Sequence, residues 1–259
     1  MIMLKESLKR MGNFPAEFFT TFRWREHLPS LLVVSAALLF LLVVWRVVYL
    51  VDVQGELPQL ASVRGLWWHA FRNRGPVEWM QWVFLSLTLL YAAALSGVYW
   101  EKRDRGAQIF WGLIAFSFLL MLIEDTGDPR HLMAHYGYNY LGISKMKIEG
   151  VFYLFIAGPI IYGFLRFWKV PFSFPQTRLY LVTGGLMYAL AASASVFRNQ
   201  GDFYVNMGDR LSLLLVNGTI PGFFFMDFVL EETIELLAAS LFFAGVLMYW
   251  RLMKKNREE

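Results

Sequence analysis

Residues 30–50, 77–99, 107–124, 150–168, 178–197 and 230–250 form six apolar runs. Each is close to the roughly 20 residues that a helix needs to cross a hydrocarbon core about 30 Å thick. Backbone N–H and C=O groups find no water in that core, so a crossing segment must close its own hydrogen bonds as a helix or pair into a closed barrel. A barrel strand would alternate apolar and polar over about ten residues. Residues 31–45, LLVVSAALLFLLVVW, are apolar apart from Ser35, so the barrel is excluded. Composition points the same way, with 57% hydrophobic and 17% charged residues among 259. The expected fold is all-α: a polytopic transmembrane helical bundle of six spans, forming a single integral membrane domain over residues 1–259. The alternative is a seventh span in 211–229, where Gly218, Pro221 and Gly222 interrupt an apolar stretch that otherwise lies in the interface or re-enters.

Six spans place both termini on one side, which divides the basic residues between two faces. The face with the termini carries 15 Lys and Arg against 8 in the other three loops, while Arg46 lies within the first span. The positive-inside rule therefore puts both termini in the cytoplasm. The basic N-terminal stretch is mixed with acids, so a cleavable signal peptide is not expected. With no organellar targeting segment read, the expected location is the cytoplasmic (inner) membrane of a prokaryote. The lipid bilayer is the first partner, and the small-residue stripes Gly185/Ala189/Ser193, Ala93/Gly97 and Ala238/Ala239 suit helix packing or further membrane subunits. Basic residues beside span ends are explained by topology, so no nucleic-acid partner is expected. The absence of cysteine excludes disulfides, thiolate metal sites and a cysteine nucleophile.

The outer face is acidic and has the longer connections. Residues 58–72 repeat apolar positions at helical spacing behind Pro58, which predicts an interfacial helix with Trp67 and Trp68 at the headgroups.

Two carboxylate groups stand out. Glu124 and Asp125 close the third run, where the helix macrodipole disfavours negative charge, so a cation is expected nearby. Glu231, Glu232 and Glu235 open the sixth, where the dipole favours the first two. The third run ends and the sixth begins at the outer side, so both groups face the same boundary.

Between them, Gly127 suits a helix-ending left-handed position, Asp128 an N-cap and Pro129 a first turn. The helix starting there puts His131 and His135 on one face. Two imidazoles with carboxylates are a known way to hold zinc or a similar divalent metal. The ligand set read from the sequence is Asp128, His131, His135, Glu232 and Glu235, with Glu124 an alternative to Asp128 and His69 a further candidate. Glu124, Glu232 or Glu235 is left as the general base of a hydrolytic site. In part this pattern resembles the membrane-embedded zinc hydrolases of the alkaline ceramidase and progestin-receptor-like class. It departs from them because the histidine pair lies in a loop helix and no additional in-span histidine is present. Two other readings compete: a proton- or cation-coupled transporter using the same acids, and a non-catalytic subunit in which Arg46 and Glu235 form a buried ion pair. The residues do not name a substrate or a reaction.

Overall fold

The computed structural model describes residues 24–49, 66–71, 74–198, 202–216 and 220–258. The helices are α1 (Trp24–Leu42), which runs on as a π-helical segment Val43–Val48, α2 (Leu66–Phe71), α3 (Pro76–Glu101), α4 (Arg105–Gly127), α5 (Pro129–Leu141), α6 (Lys145–Phe167), α7 (Pro175–Phe197) and α8 (Asp202–Val216). A short α9 (Gly222–Phe224) passes through a second π-helical segment, Phe225–Leu230, into α10 (Glu231–Glu258). Six of the helical stretches are long and apolar enough to cross a membrane, as expected from the runs. The described part of the chain is a helical bundle of integral membrane character.

The sixth stretch starts earlier than the sequence suggested. It is one helix of 35 residues, Gly222–Asn256, so the apolar residues after Pro221 extend α10 and make no separate span. Among the described residues no seventh helix qualifies, and α8, with 15 residues, is short for a crossing. Residues 58–65 and the side chains of Trp67 and Trp68 lie outside the described residues. The predicted interfacial helix is therefore represented only by the six residues of α2.

Local signals set the ends. Gly75 precedes Pro76 at the first turn of α3, and the Asp104 side chain accepts the Ala107 N–H at 3.1 Å to start α4. The α4–α5 corner differs from expectation by one residue. Gly127 is still helical, and Asp128 takes the left-handed conformation, with φ 50°. Its side chain makes no capping bond and turns to His131 instead.

α10 is the axis of the bundle. Of its most apolar window 72% is buried, against 17–39% in the other five spans, and it packs on α1, α3 and α7. The α7–α10 contact uses Gly184, where an added Cβ would lie 3.2 Å from the Ala238 carbonyl, and Gly245, where it would lie 2.8 Å from Leu181. Ala238 and Ala239 are fully buried, as the small-residue reading expected. Among the described residues Gly97 is not a packing site: none of their atoms lies within 4 Å of a Cβ placed there, and Ala93, one turn before it, is exposed.

Candidate functional site: carboxyls where three spans meet

α3 begins, α4 ends and the long α9–α10 helix passes at one end of the bundle. Gln81, in the second turn of α3, is 1% exposed and ties the three together. Its Nε2 donates to Asp125 Oδ2 at 2.7 Å and to Glu235 Oε2 at 3.0 Å. The two carboxylate groups read from the sequence thus meet across a single amide. Glu78, one turn before Gln81, is buried and accepts the Arg74 backbone N–H. The Tyr188 hydroxyl on α7 is buried beside this group, with Asp125, Glu235, Glu232 and Gln81 within its electrostatic reach.

The cation beside Glu124 is Arg130. Its Nε donates to Glu124 Oε1 at 2.8 Å, its Nη1 to Ser195 Oγ at 2.6 Å, and its guanidinium lies 4.8 Å from the centre of the Tyr153 ring. Arg198, just after α7, is the second cation. It donates to Asp227 Oδ1 at 2.9 Å, lies 3.6 Å from Glu149 Oε1, and touches the His131 ring at Nε2. Burial opposes both guanidinium charges. Tyr153 and Glu124 outweigh it at Arg130, and Asp227 does so at Arg198, so both pKa values are raised.

These partners account for the arginines and leave carboxyls over. Glu124, Asp227 and Glu149 have ion pairs; among the described residues Glu78, Asp125, Glu231, Glu232 and Glu235 have none. Oε2 of Glu231 and Oε2 of Glu232 are buried without a hydrogen-bond partner among the described residues. An isolated ionised carboxylate away from water costs several kcal/mol, roughly, so charge at this site must be balanced by protons or by a bound cation.

The helix start does not help as the sequence implied. Glu231 follows nine residues of continuous helix, and its N–H already bonds the Met226 carbonyl. It is therefore remote from the positive end of the dipole. Glu235 lies about 20 Å along the helix from Gly222 at 1.5 Å per residue, deeper in its span than a start at residue 230 would put it.

Arg46 does not reach Glu235. Trp45 faces α10 and its Nε1 donates to Thr233 Oγ1 at 3.2 Å, so the next residue, Arg46, points outward and is exposed. The metal ligands read from the sequence are also not gathered. His131 has Asp128 against Nδ1 and Arg198 against Nε2, while His135 is exposed beside Asn139 at 3.0 Å. His69 is exposed on α2. Glu232 and Glu235 stand with Asp125 instead, and among the described residues no group of three or more His, Cys, Asp or Glu is placed to hold a metal ion.

Sequence reasoning missed Gln81, Arg130, Ser195 and Arg198. Gln81 had a readable signal, a polar residue one turn after Glu78 inside an apolar run. Arg130 was signalled by the unfavourable dipole at Glu124, which calls for a cation in the next few residues. Nothing in their spacing marks Ser195 or Arg198.

Fold and site define a class: a polytopic helical membrane protein with a carboxyl-rich polar centre at one end of its bundle. No protein-family model matches the chain, and neither a curated protein nor a solved structure shows significant similarity to it.

Proposed function

We propose that the protein is a proton-coupled membrane transporter whose coupling site is Asp125, Glu232 and Glu235, organised by Gln81. The observation that carries this reading is the Gln81 amide shared by Asp125 and Glu235 at 2.7 and 3.0 Å, with no Lys or Arg among the described residues ion-paired to either acid. A proton needs only a carboxyl oxygen and a nearby acceptor, which this group supplies. A divalent metal needs several ligands converging on one point, which the described residues do not provide. Intramembrane carboxyls facing a bundle interior are the usual elements of proton relays. Glu124 is occupied by Arg130 and belongs to the frame of the site rather than to its exchangeable charge.

Two kinds of helix irregularity support a reading in which the bundle moves. The chain has π-helical segments at Val43–Val48 and at Phe225–Leu230, and the Trp45 ring of the first packs edge-on against Phe225 of the second at 6.0 Å. Pi-helical turns weaken the regular i to i−4 ladder and recur at functional sites. Pro159 sits inside α6, where it removes one ladder bond.

The test needs no cargo. A pH jump applied to proteoliposomes adsorbed on a sensor electrode should give a transient charge displacement as protons enter the site within the membrane. Asp125→Asn and Glu235→Gln should each remove most of it. A wild-type transient in both variants would sink the reading.

A further inference from the structure

The end of α4 remote from the carboxyls meets α6 in a basic corner. Arg105 opens α4, and Asp125 lies about 30 Å further along it at 1.5 Å per residue, so the corner is at the opposite boundary of a hydrocarbon core of that thickness. A Cβ placed on Gly106 would lie 3.8 Å from the Phe167 ring, and one on Gly163 would lie 3.5 Å from the Phe110 ring. The first turns of α4 therefore run against the last turns of α6. That contact sets the α3–α4 turn, with Lys102, Arg103 and Arg105, beside the end of α6, with Arg166 and Lys169. All five side chains are exposed, and Arg105 and Arg166 each stand one residue from the Gly106–Phe167 contact.

Topology asks for cations on one side of a membrane but not for their being gathered without partners. Elsewhere at this end the cations are in use. Lys255 donates to Glu26 Oε1 and Arg251 to the Glu26 carbonyl, each at 3.2 Å, and Arg178 donates to the Phe172 carbonyl at 3.0 Å. Among the described residues none of the five corner side chains has a hydrogen bond or an ion pair; Lys102 lies over the Tyr99 ring at 5.4 Å and Arg166 over the Phe167 ring at 5.6 Å. The acids of the corner are Glu101, which is exposed, and Asp104, whose Oδ1 accepts the Ala107 N–H, so two negative charges stand against five positive ones. Trp100 and Trp168, 70% and 47% exposed, flank the corner at the ends of α3 and α6. Exposed indole rings beside exposed cations suit the headgroup layer, and cations gathered between span ends there call for phosphate.

We propose that the corner between the α3–α4 turn and the end of α6 binds the headgroup of an anionic phospholipid. The guanidinium groups of Arg105 and Arg166 take the phosphate, a geometry that a planar fork of N–H donors matches, and the flexible Lys102 and Lys169 add charge. Leu165 and Tyr162, 76% and 55% exposed on the last turns of α6, offer the acyl chains a surface. Free phosphate would meet the cations and leave that surface unused, so the occupant is a lipid. Lipid binding here is independent of proton uptake at the carboxyls.

The full-length protein in detergent would be titrated with phosphatidylglycerol and the bound lipid counted by native mass spectrometry, with phosphatidylcholine of the same chains and inorganic phosphate as comparisons. Saturable binding of phosphatidylglycerol is expected, about tenfold or more tighter than that of phosphatidylcholine and not displaced by phosphate at constant ionic strength. The double variant Arg105→Gln/Arg166→Gln should weaken it about tenfold or more, since each cation near a lipid surface contributes about fivefold. Arg251→Gln/Lys254→Gln removes the same charge from the same end and should bind as the wild type does. All four side chains are exposed, so neither variant opens the core. Equal affinity for the two lipids, displacement by inorganic phosphate, undiminished binding in Arg105→Gln/Arg166→Gln, or equal weakening in both double variants would overturn the proposal.

Discussion

Arg130 shows how single residues hold the site open to chemistry without taking part in it. Its guanidinium joins Glu124 on α4, Ser195 on α7 and the Tyr153 face on α6 while being only 7% exposed itself. Removing one partner of a buried ion pair leaves the other charge stranded. Arg130→Ala should therefore lower stability by about 3–5 kcal/mol, read from the unfolding transition in mixed micelles. Arg130→Lys should recover less than half of that, because an ammonium cannot bond Glu124 and Ser195 in one fork and stack on Tyr153 as well. A loss below about 1 kcal/mol in Arg130→Ala would mean that the pair is solvated and worth no more than a surface bridge. The demand for a cation near Glu124 was readable from the dipole, but which residue meets it was not. Spacing put His131 in the same loop helix, yet that ring lies between Asp128 and Arg198. The choice among such partners is made by side-chain direction, which periodicity alone does not contain.

Helices in this bundle meet through glycine, against a side chain at Gly245 and against another backbone at Gly208. At Gly208 the neighbour is the Gly222 carbonyl, with no flexible side chain between them. Gly208→Ala should cost about 1–3 kcal/mol through overpacking and should shift α8 away from α9. Gly97 sits in a small-residue pattern with no atom of the described residues within 4 Å of an added Cβ. Gly97→Ala should stabilise by about 0.5–1 kcal/mol, as glycine to alanine does within an unobstructed helix. The same unfolding assay compares the two, and a reversal of their order would contradict the packing described. The stripe Ala93/Gly97 could be seen in the sequence, as could Ala238/Ala239, but spacing shows only which residues share a face. Whether that face meets a helix or lipid depends on neighbours, and here α10 takes the buried place while the Gly97 side of α3 faces outward. For the same reason the sixth span starts earlier than its sequence suggests: Pro221 and Gly222 look like a break, yet Pro221 is the N-cap and Gly222 the first residue of a helix that continues through a π-helical turn.

At the scale of the molecule, the helical class and the six spans follow from run length alone, and the direction of each run then brings the ends of the third and sixth to one side. Lateral adjacency does not follow from direction. It is settled by Gln81, which bonds Asp125 and Glu235 at once and brings together residues 44 and 154 positions away from it in sequence. Everything proposed about function depends on these acids acting as one unit, and a thermodynamic double-mutant cycle measures that directly. Asp125→Asn, Glu235→Gln and the double variant would be compared for stability in the same lipid at one pH. Carboxyls sharing one amide should give a coupling energy of about 0.5–3 kcal/mol, with the second neutralisation worth less once the first is made. Additivity within about 0.3–0.5 kcal/mol would show that the two acids are independent, and the account of a shared site would be contradicted.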